Sequence, residues 1–330
     1  KMDKQGYDGY LLANFSNIQY LSNYKPTSFA FAVIKDVPVI YTSKMDLEVA
    51  NNDSSIEIKE FESFSSMVNA LNDSIKKLAI EPSLEFSTYE KFRDDFDISS
   101  VDFINNQRAI KTDEEIFKIE EATAIAQQSF REVKILEKYD YGVHENIIAF
   151  DLERLMIENG ASGKSFDTIV TSGANSSLPH AVPTPNKLDN PILIDWGCIY
   201  EGYCSDNTRT IVYTEKQHEI WDIVAEAHNK TIKAIKPGVK CCEIDKVARD
   251  IISDYGYGDK FIHSTGHSVG LDIHELPGFT QKDETIVEKG MVITVEPGIY
   301  LEGEFGVRLE DTVAIDNKAR ILGKSPLIID

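Results

Sequence analysis

Short apolar runs alternate with amphipathic stretches over the first hundred residues. Their spacing predicts strands at Gly9 to Ala13, Phe29 to Ile34, Val37 to Tyr41, Ile56 to Phe61 and Leu78 to Ile80. Phe64 to Lys77 and Thr88 to Phe96 read as helices between them. This is an α/β pattern, and it carries no cluster of histidines or metal-spaced carboxylates. The texture breaks near residue 110, so we expect two domains, 1–110 and 111–330. At the break, Thr112-Asp113-Glu114-Glu115 is a capping box: the threonine hydroxyl can accept from the Glu115 amide while that glutamate reaches back. A long helix is expected to run from there to about Tyr139. Ile116, Ile119, Ala122, Ala126 and Phe130 fall on its packed face.

The second domain repeats itself. Helical segments 113–138 and 144–159 precede a strand-rich run from Phe166 to Val212, and segments 215–235 and 242–255 precede another from Phe261 to Ile315. Gly160 and Gly256 close the second helix of each pair. The simplest arrangement is an α+β unit with pseudo-two-fold symmetry. Antiparallel strands lie between the helices, and the carboxylate-bearing strands face one another.

Composition narrows the function. With 330 residues, 42% of them hydrophobic, the chain can fill two cores. A formal charge of -21 repels nucleic acid and anionic membrane alike. No apolar run approaches the roughly 20 residues that span a bilayer, and Lys1 to Tyr10 lacks a signal-peptide core. Cys198, Cys204, Cys241 and Cys242 have no zinc spacing and read as reduced thiols. A soluble, cytoplasmic protein is expected.

Five metal-capable residues give the chain its chemistry: Asp195, Asp206, His267, Glu296 and Glu310, each at a strand or strand edge beside glycine. Four carboxylates and one imidazole suit two hard or borderline divalent cations. Asp195 and Asp206 alone read first as turn residues of a hairpin. Glu296 changes that reading, because it ends the apolar run Met291-Val-Ile-Thr-Val295 and a buried carboxylate needs a compensating charge. Adding Glu310, at the head of another strand, points to a shared metal site. His263, His267 and His274 crowd the segment Phe261 to Glu275, and His180 ends Ser172 to His180. His144, His218 and His228 lie in or beside helices and receive no role.

The stretches Ser172 to His180, Ile194 to Thr210, Phe261 to Glu275, Val292 to Tyr300 and Gly306 to Thr312 resemble the pita-bread metallopeptidases, in particular the Xaa-Pro branch of aminopeptidase P and prolidase. Residues 1–110 resemble the creatinase-type accessory domain more loosely. The resemblance implies a dinuclear centre in which Asp195 chelates one ion, His267 and Glu296 bind the other, and Asp206 and Glu310 bridge. Manganese is the first expectation, with cobalt, zinc and iron open. It also implies a homodimer that acts on peptides with proline at the second position, aminopeptidase P-like, with Xaa-Pro dipeptidase as the alternative. Glu296 would be the general base and His274 would stabilise oxygen charge. His180 and His263 would line the proline side, and Arg308 would join these histidines in binding substrate.

Two positions depart from the family pattern. Ser268 replaces a usual glycine after the ligand histidine, and Gly278 stands where several dipeptidases carry an arginine for the dipeptide carboxylate. The second departure leans toward longer peptides. Methionine aminopeptidase shares the five ligands but usually lacks both such an accessory domain and a histidine like His263. Creatinase-like hydrolysis proceeds without metal, and a noncatalytic descendant would be expected to have lost ligands or His180.

Overall fold

A computed structural model describes residues 3–323; the ends of both expected domains, 1–2 and 324–330, lie outside the described residues. Residues 1–108 and 109–330 separate into two units.

The first unit is a six-stranded mixed sheet. Its strands are β1 (Gly9–Leu12), β2 (Ala30–Ile34), β3 (Val39–Thr42), β4 (Glu57–Glu60), β5 (Lys77–Ile80) and β6 (Asp97–Ser100), in the order β4-β3-β2-β1-β5-β6. Side chains alternate across it. Leu11, Phe31, Val33 and Leu78 enter one apolar cluster, while Tyr10, Leu12, Ala32 and Ala79 enter the other. Burial on both faces explains why the strands read as continuous apolar runs. Three helices cover the sheet: α1 (Phe15–Ser22), α2 (Leu47–Asp53) and α3 (Phe64–Asn72). The first two are short and were not legible from periodicity. The helix expected over Phe64 to Lys77 ends at Asn72, so that Ile75 can drop into the core. The stretch Thr88 to Phe96 winds only through Phe86–Tyr89 before breaking into turns.

The second unit opens with α4 (Asp113–Val133), started by the capping box at Thr112 and Glu115. The helix expected to reach Tyr139 breaks at Lys134, whose φ of 52° is left-handed, and resumes as α5 (Ile135–Asp140). No glycine marks the break, so the sequence concealed it. Next come α6 (Glu145–Glu158) and the antiparallel strands β7 (Ile169–Ser172), β8 (Ile192–Trp196) and β9 (Asn207–Ile211). The second half repeats the scheme with α7 (Glu215–Ala234) and α8 (Cys241–Asp254). Its strands are β10 (Gly266–Ser268), β11 (Glu275–Phe279), β12 (Val292–Val295), β13 (Gly298–Leu301), β14 (Phe305–Arg308), β15 (Asp311–Ile315) and β16 (Ala319–Ile321).

Each half has its own apolar packing. Ala122, Ala126 and Phe130 of α4 and Ile148 and Leu152 of α6 meet Ile192, Ile194 and Trp196 of β8. The Trp196 ring stacks on Phe130 at 4.4 Å and donates to the Ala126 carbonyl at 2.8 Å. In the second half, Ile220 and Val224 of α7 and Ala248 and Ile252 of α8 pack on Ile299 and Val307. Strands anchored this firmly can hold polar side chains on their other face.

Candidate metal centre and substrate cavity

Antiparallel register brings the expected donors together. Asp195 and Asp206 are returned to one another by a hairpin whose tip, Glu201-Gly202, has both φ values positive, the two-residue turn that suits strand twist. Thr208 lies opposite Asp195 on one side and bridges Glu310 on the other. Val295 pairs with Asp311, so one further step along the strands sets Glu296 across from Glu310. His267 comes in on β10, its amide donating to Thr294 Oγ1 at 3.0 Å. Two glycines permit this closeness: a Cβ at Gly266 would lie 1.9 Å from the Thr294 carbonyl oxygen, and one at Gly197 would lie 2.0 Å from that of Ser205. Ser268, in the glycine position, sits in β10 with no positive φ, so its side chain costs no backbone strain there.

Asp206, His267 and Glu310 each offer an atom within 4.8 Å of the others. His267 Nε2 lies 3.3 Å from Glu296 Oε1 and 3.5 Å from Asp206 Oδ2. Its Nδ1 faces the Ser268 carbonyl at 3.2 Å, and a carbonyl can only accept. The proton therefore belongs on Nδ1 and the Nε2 lone pair points at the carboxylates, the orientation of a metal-ligating imidazole. Asp195 stands slightly apart, with its Oδ2 taking Arg308 Nη2 at 2.6 Å.

Burial first, and then neighbouring carboxylates, pushes Asp206 and Glu310 well above the ordinary carboxylate range: Glu310 and Asp195 act on Asp206, and Glu296 and Asp195 act on Glu310. Burial also raises Glu296. Asp195 Oδ1 and Glu310 Oε1 are buried without a hydrogen-bond partner. Converging carboxylates with orphaned oxygens lack only positive charge, so the donor set fits divalent cations.

Arg308 is nearly inaccessible, and its donors are occupied: Nε by Thr208 Oγ1, Nη1 by Tyr300 and the Pro179 carbonyl, Nη2 by Asp195. Its Nη2 is turned onto the site's own carboxylate, and the residue also lines the neighbouring cavity. Tyr300 escaped sequence reading because a tyrosine in a strand looks like core. It accepts from Arg308 Nη1 at 2.7 Å and lies 2.9 Å from His263 Nε2. Burial pushes its phenol up to about 12. His263 Nδ1 meets the Ser264 carbonyl at 2.8 Å, which places its proton there and leaves Nε2 to accept from Tyr300. Both ring nitrogens of His263 are thus engaged. It presents a ring wall, and burial lowers its basicity. His274 packs edge-on against His267, with ring centroids 4.4 Å apart, and burial lowers its pKa too.

A cavity of about 770 Å³ opens beside these groups. It is bounded by the five donors, His180, His263, His274 and Arg308, with Phe150, Phe166, Ile169 and Val182 among its apolar walls. All nine residues singled out in the sequence therefore line one cavity.

Comparison with known proteins identifies the family. Residues 118–317 match metallopeptidase family M24, and residues 1–112 match the creatinase/prolidase N-terminal domain. The chain belongs to metallopeptidase family M24. It is 40% identical over 335 residues to the Xaa-Pro dipeptidase of Pyrococcus furiosus, covering 98% of this chain and 95% of that one. The prolidase structure from Pyrococcus horikoshii superposes with a TM-score of 0.92 at 38% identity, over 98% and 96% of the two chains. The X-Pro aminopeptidase from Thermotoga maritima gives 0.87 at 31%, over 99% of each. The α+β unit is thus the pita-bread fold, and M24 membership makes the chain a hydrolase that uses divalent metal.

Proposed function

We propose that this protein hydrolyses the bond between an amino-terminal residue and proline. The observation that carries this reading is the convergence of four carboxylates and one imidazole, two of whose carboxylate oxygens are buried without partners, on a cavity walled by histidines. Asp195 would hold one divalent ion, His267 and Glu296 would hold the other, and Asp206 and Glu310 would serve both. Bound there, such ions supply Lewis acidity that makes water a nucleophile near neutral pH. Glu296 would take a proton from the attacking water and carry it to the departing nitrogen. His274, held neutral by its lowered pKa, donates to the oxygen that gains charge in the transition state. His180 and His263 wall the proline side. Arg308 keeps Asp195 in place through its bond to Oδ2, a role better supported by its geometry than direct substrate binding.

An Xaa-Pro bond offers no amide hydrogen for strand-like recognition, so a cavity that grips the ring and the free amine is the chemical answer. Aminopeptidase action on longer peptides is our first reading, favoured by Gly278. That residue lies opposite His267 in the β10–β11 register, where an arginine would bring positive charge to the site. Dipeptidase action is the second reading, favoured by the names of relatives at 40% identity. Manganese suits the carboxylate-rich donors. A cytoplasmic homodimer completes the proposal, and the spacing of the four cysteines fits a reducing compartment. Among the described residues, no helix is long and apolar enough to cross a membrane. The test is a panel of Xaa-Pro dipeptides, Xaa-Pro-Xaa tripeptides and Met-Xaa peptides under several metals. Turnover of only Met-Xaa would overturn the reading.

A further inference from the structure

Two buried acids outside the donor set remain to be explained. Glu145, the first residue of α6, is 1% exposed. Its Oε1 accepts from the Ser172 amide and hydroxyl, both at 2.7 Å; its Oε2 accepts from the Thr184 amide at 3.0 Å, the Thr184 hydroxyl at 2.7 Å and Asn175 Nδ2 at 3.3 Å. One carboxylate therefore ties together both ends of the segment 172–184, which carries His180 and is otherwise mostly irregular. Asp245, in α8, is fully buried. It accepts from the Thr265 hydroxyl at 2.9 Å and the Thr265 amide at 3.2 Å, and it holds Arg249 through two bonds of 2.9 Å. Arg249 in turn donates to the carbonyls of Phe261 at 3.0 Å and His263 at 2.9 Å, and lies 4.4 Å over the Phe261 ring. Residues 261–264 lie outside any strand, so this clamp holds backbone carbonyls where no ladder does. The Thr265 carbonyl then receives the Glu296 amide at 2.8 Å.

We propose that Glu145 and the Asp245–Arg249 pair are positioning residues, one in each half of the second unit, which fix the backbones that carry His180 and His263 against the substrate. This assignment rests on the Xaa-Pro reading. Neither element need touch substrate. Their effect passes through segments that lack regular hydrogen bonding, where a displacement near 1 Å can cost about 100-fold in rate.

The test uses the full-length, manganese-loaded protein and the variants Glu145→Gln, Asp245→Asn, Arg249→Met and Arg249→Lys, with two readouts. Amide hydrogen exchange should quicken only in 172–184 for the first variant and only in 261–267 for the others. Catalytic efficiency on an Xaa-Pro peptide should fall about 10-fold or more, mainly through KM, with metal content unchanged. Arg249→Lys, able to keep one carbonyl contact, should recover part of the loss seen in Arg249→Met. If Glu145→Gln does not fold, Thr184→Val, which removes one donor, should show a smaller, still local change. Unaltered exchange and efficiency would overturn the assignment, as would exchange that quickens throughout the second unit. Absence of Xaa-Pro turnover in the unaltered protein would instead sink the Xaa-Pro reading, leaving the exchange data to judge the clamps.

Discussion

The two halves of the second unit solve the same problem with different chemistry. In the first, the free backbone and side-chain groups of segment 172–184 are N–H and O–H donors, so the carboxylate of Glu145 suffices. In the second, Thr265 donates its amide and hydroxyl to Asp245, but Phe261 and His263 present carbonyls, which a carboxylate cannot hold. An arginine is interposed, its guanidinium bonded to Asp245 on one side and to two carbonyls on the other. The polarity of the segment to be held decides the type of clamp. The halves also differ in what they bring to the centre. The first supplies Asp195 and Asp206 on a hairpin, whereas the second supplies the imidazole of His267 and the carboxylates Glu296 and Glu310.

If the centre belongs equally to both halves, the largest loss should come from either shared ligand. Asp206→Ala and Glu310→Ala should each reduce metal content below two ions per chain and lower turnover by about 1000-fold or more, read by elemental analysis and peptide hydrolysis. A large loss for one with full activity for the other would break the symmetry.

Glu296→Gln sharpens the contrast, since the proposed proton carrier comes from the second half only. Rate should fall by about 100- to 10000-fold, more than metal content does. Parallel losses of both would leave Glu296 as a ligand without a proton-transfer role.

Carboxylates from both halves repel one another when no cation is bound, which gives a pH signature. In the metal-free chain Asp206, Glu296 and Glu310 have pKa values raised above their unfolded ones. Their contribution to stability is therefore complete below the ordinary carboxylate range and is lost as pH rises through the raised values. The melting temperature of metal-free protein should decline as pH rises above the ordinary carboxylate range, and saturating manganese should abolish the decline because cations replace the protons. A metal-free protein that gains stability over that rise would contradict the charge assignment.

The smallest effect concerns Gly278, in the second half. A Cβ there would meet the Gly266 carbonyl and the Thr280 methyl at 3.3 Å, so Gly278→Arg requires slight adjustment. It should shift preference toward Xaa-Pro dipeptides by about 10- to 100-fold relative to tripeptides through a charge-assisted contact. Unchanged ratios would show that dipeptide carboxylates are read elsewhere.

The sequence was most legible where chemistry is local. The capping box at Thr112, the repeated helix pairs and the glycine-flanked donors were all readable, because cap spacing and close backbone approach leave residue-level marks. Lys134 was not, since nothing distinguishes a lysine in a left-handed break from one on a helix surface. Tyr300 and Glu145 act through partners 8 to 39 positions away, and Asp245, though four residues from Arg249, reaches Thr265 20 positions on, so no spacing rule joins them to their histidines. Arg308 was visible as a site residue, but its inward direction depends on Asp195, 113 positions distant.

The most direct test of the central claim is a metal titration of the metal-free protein, with turnover followed on an Xaa-Pro-Xaa tripeptide. The account predicts that release of the amino-terminal residue appears only with divalent cation and reaches its maximum at two ions per chain. Turnover that persists under full chelation, or metal-loaded protein inert toward every Xaa-Pro peptide, would contradict it.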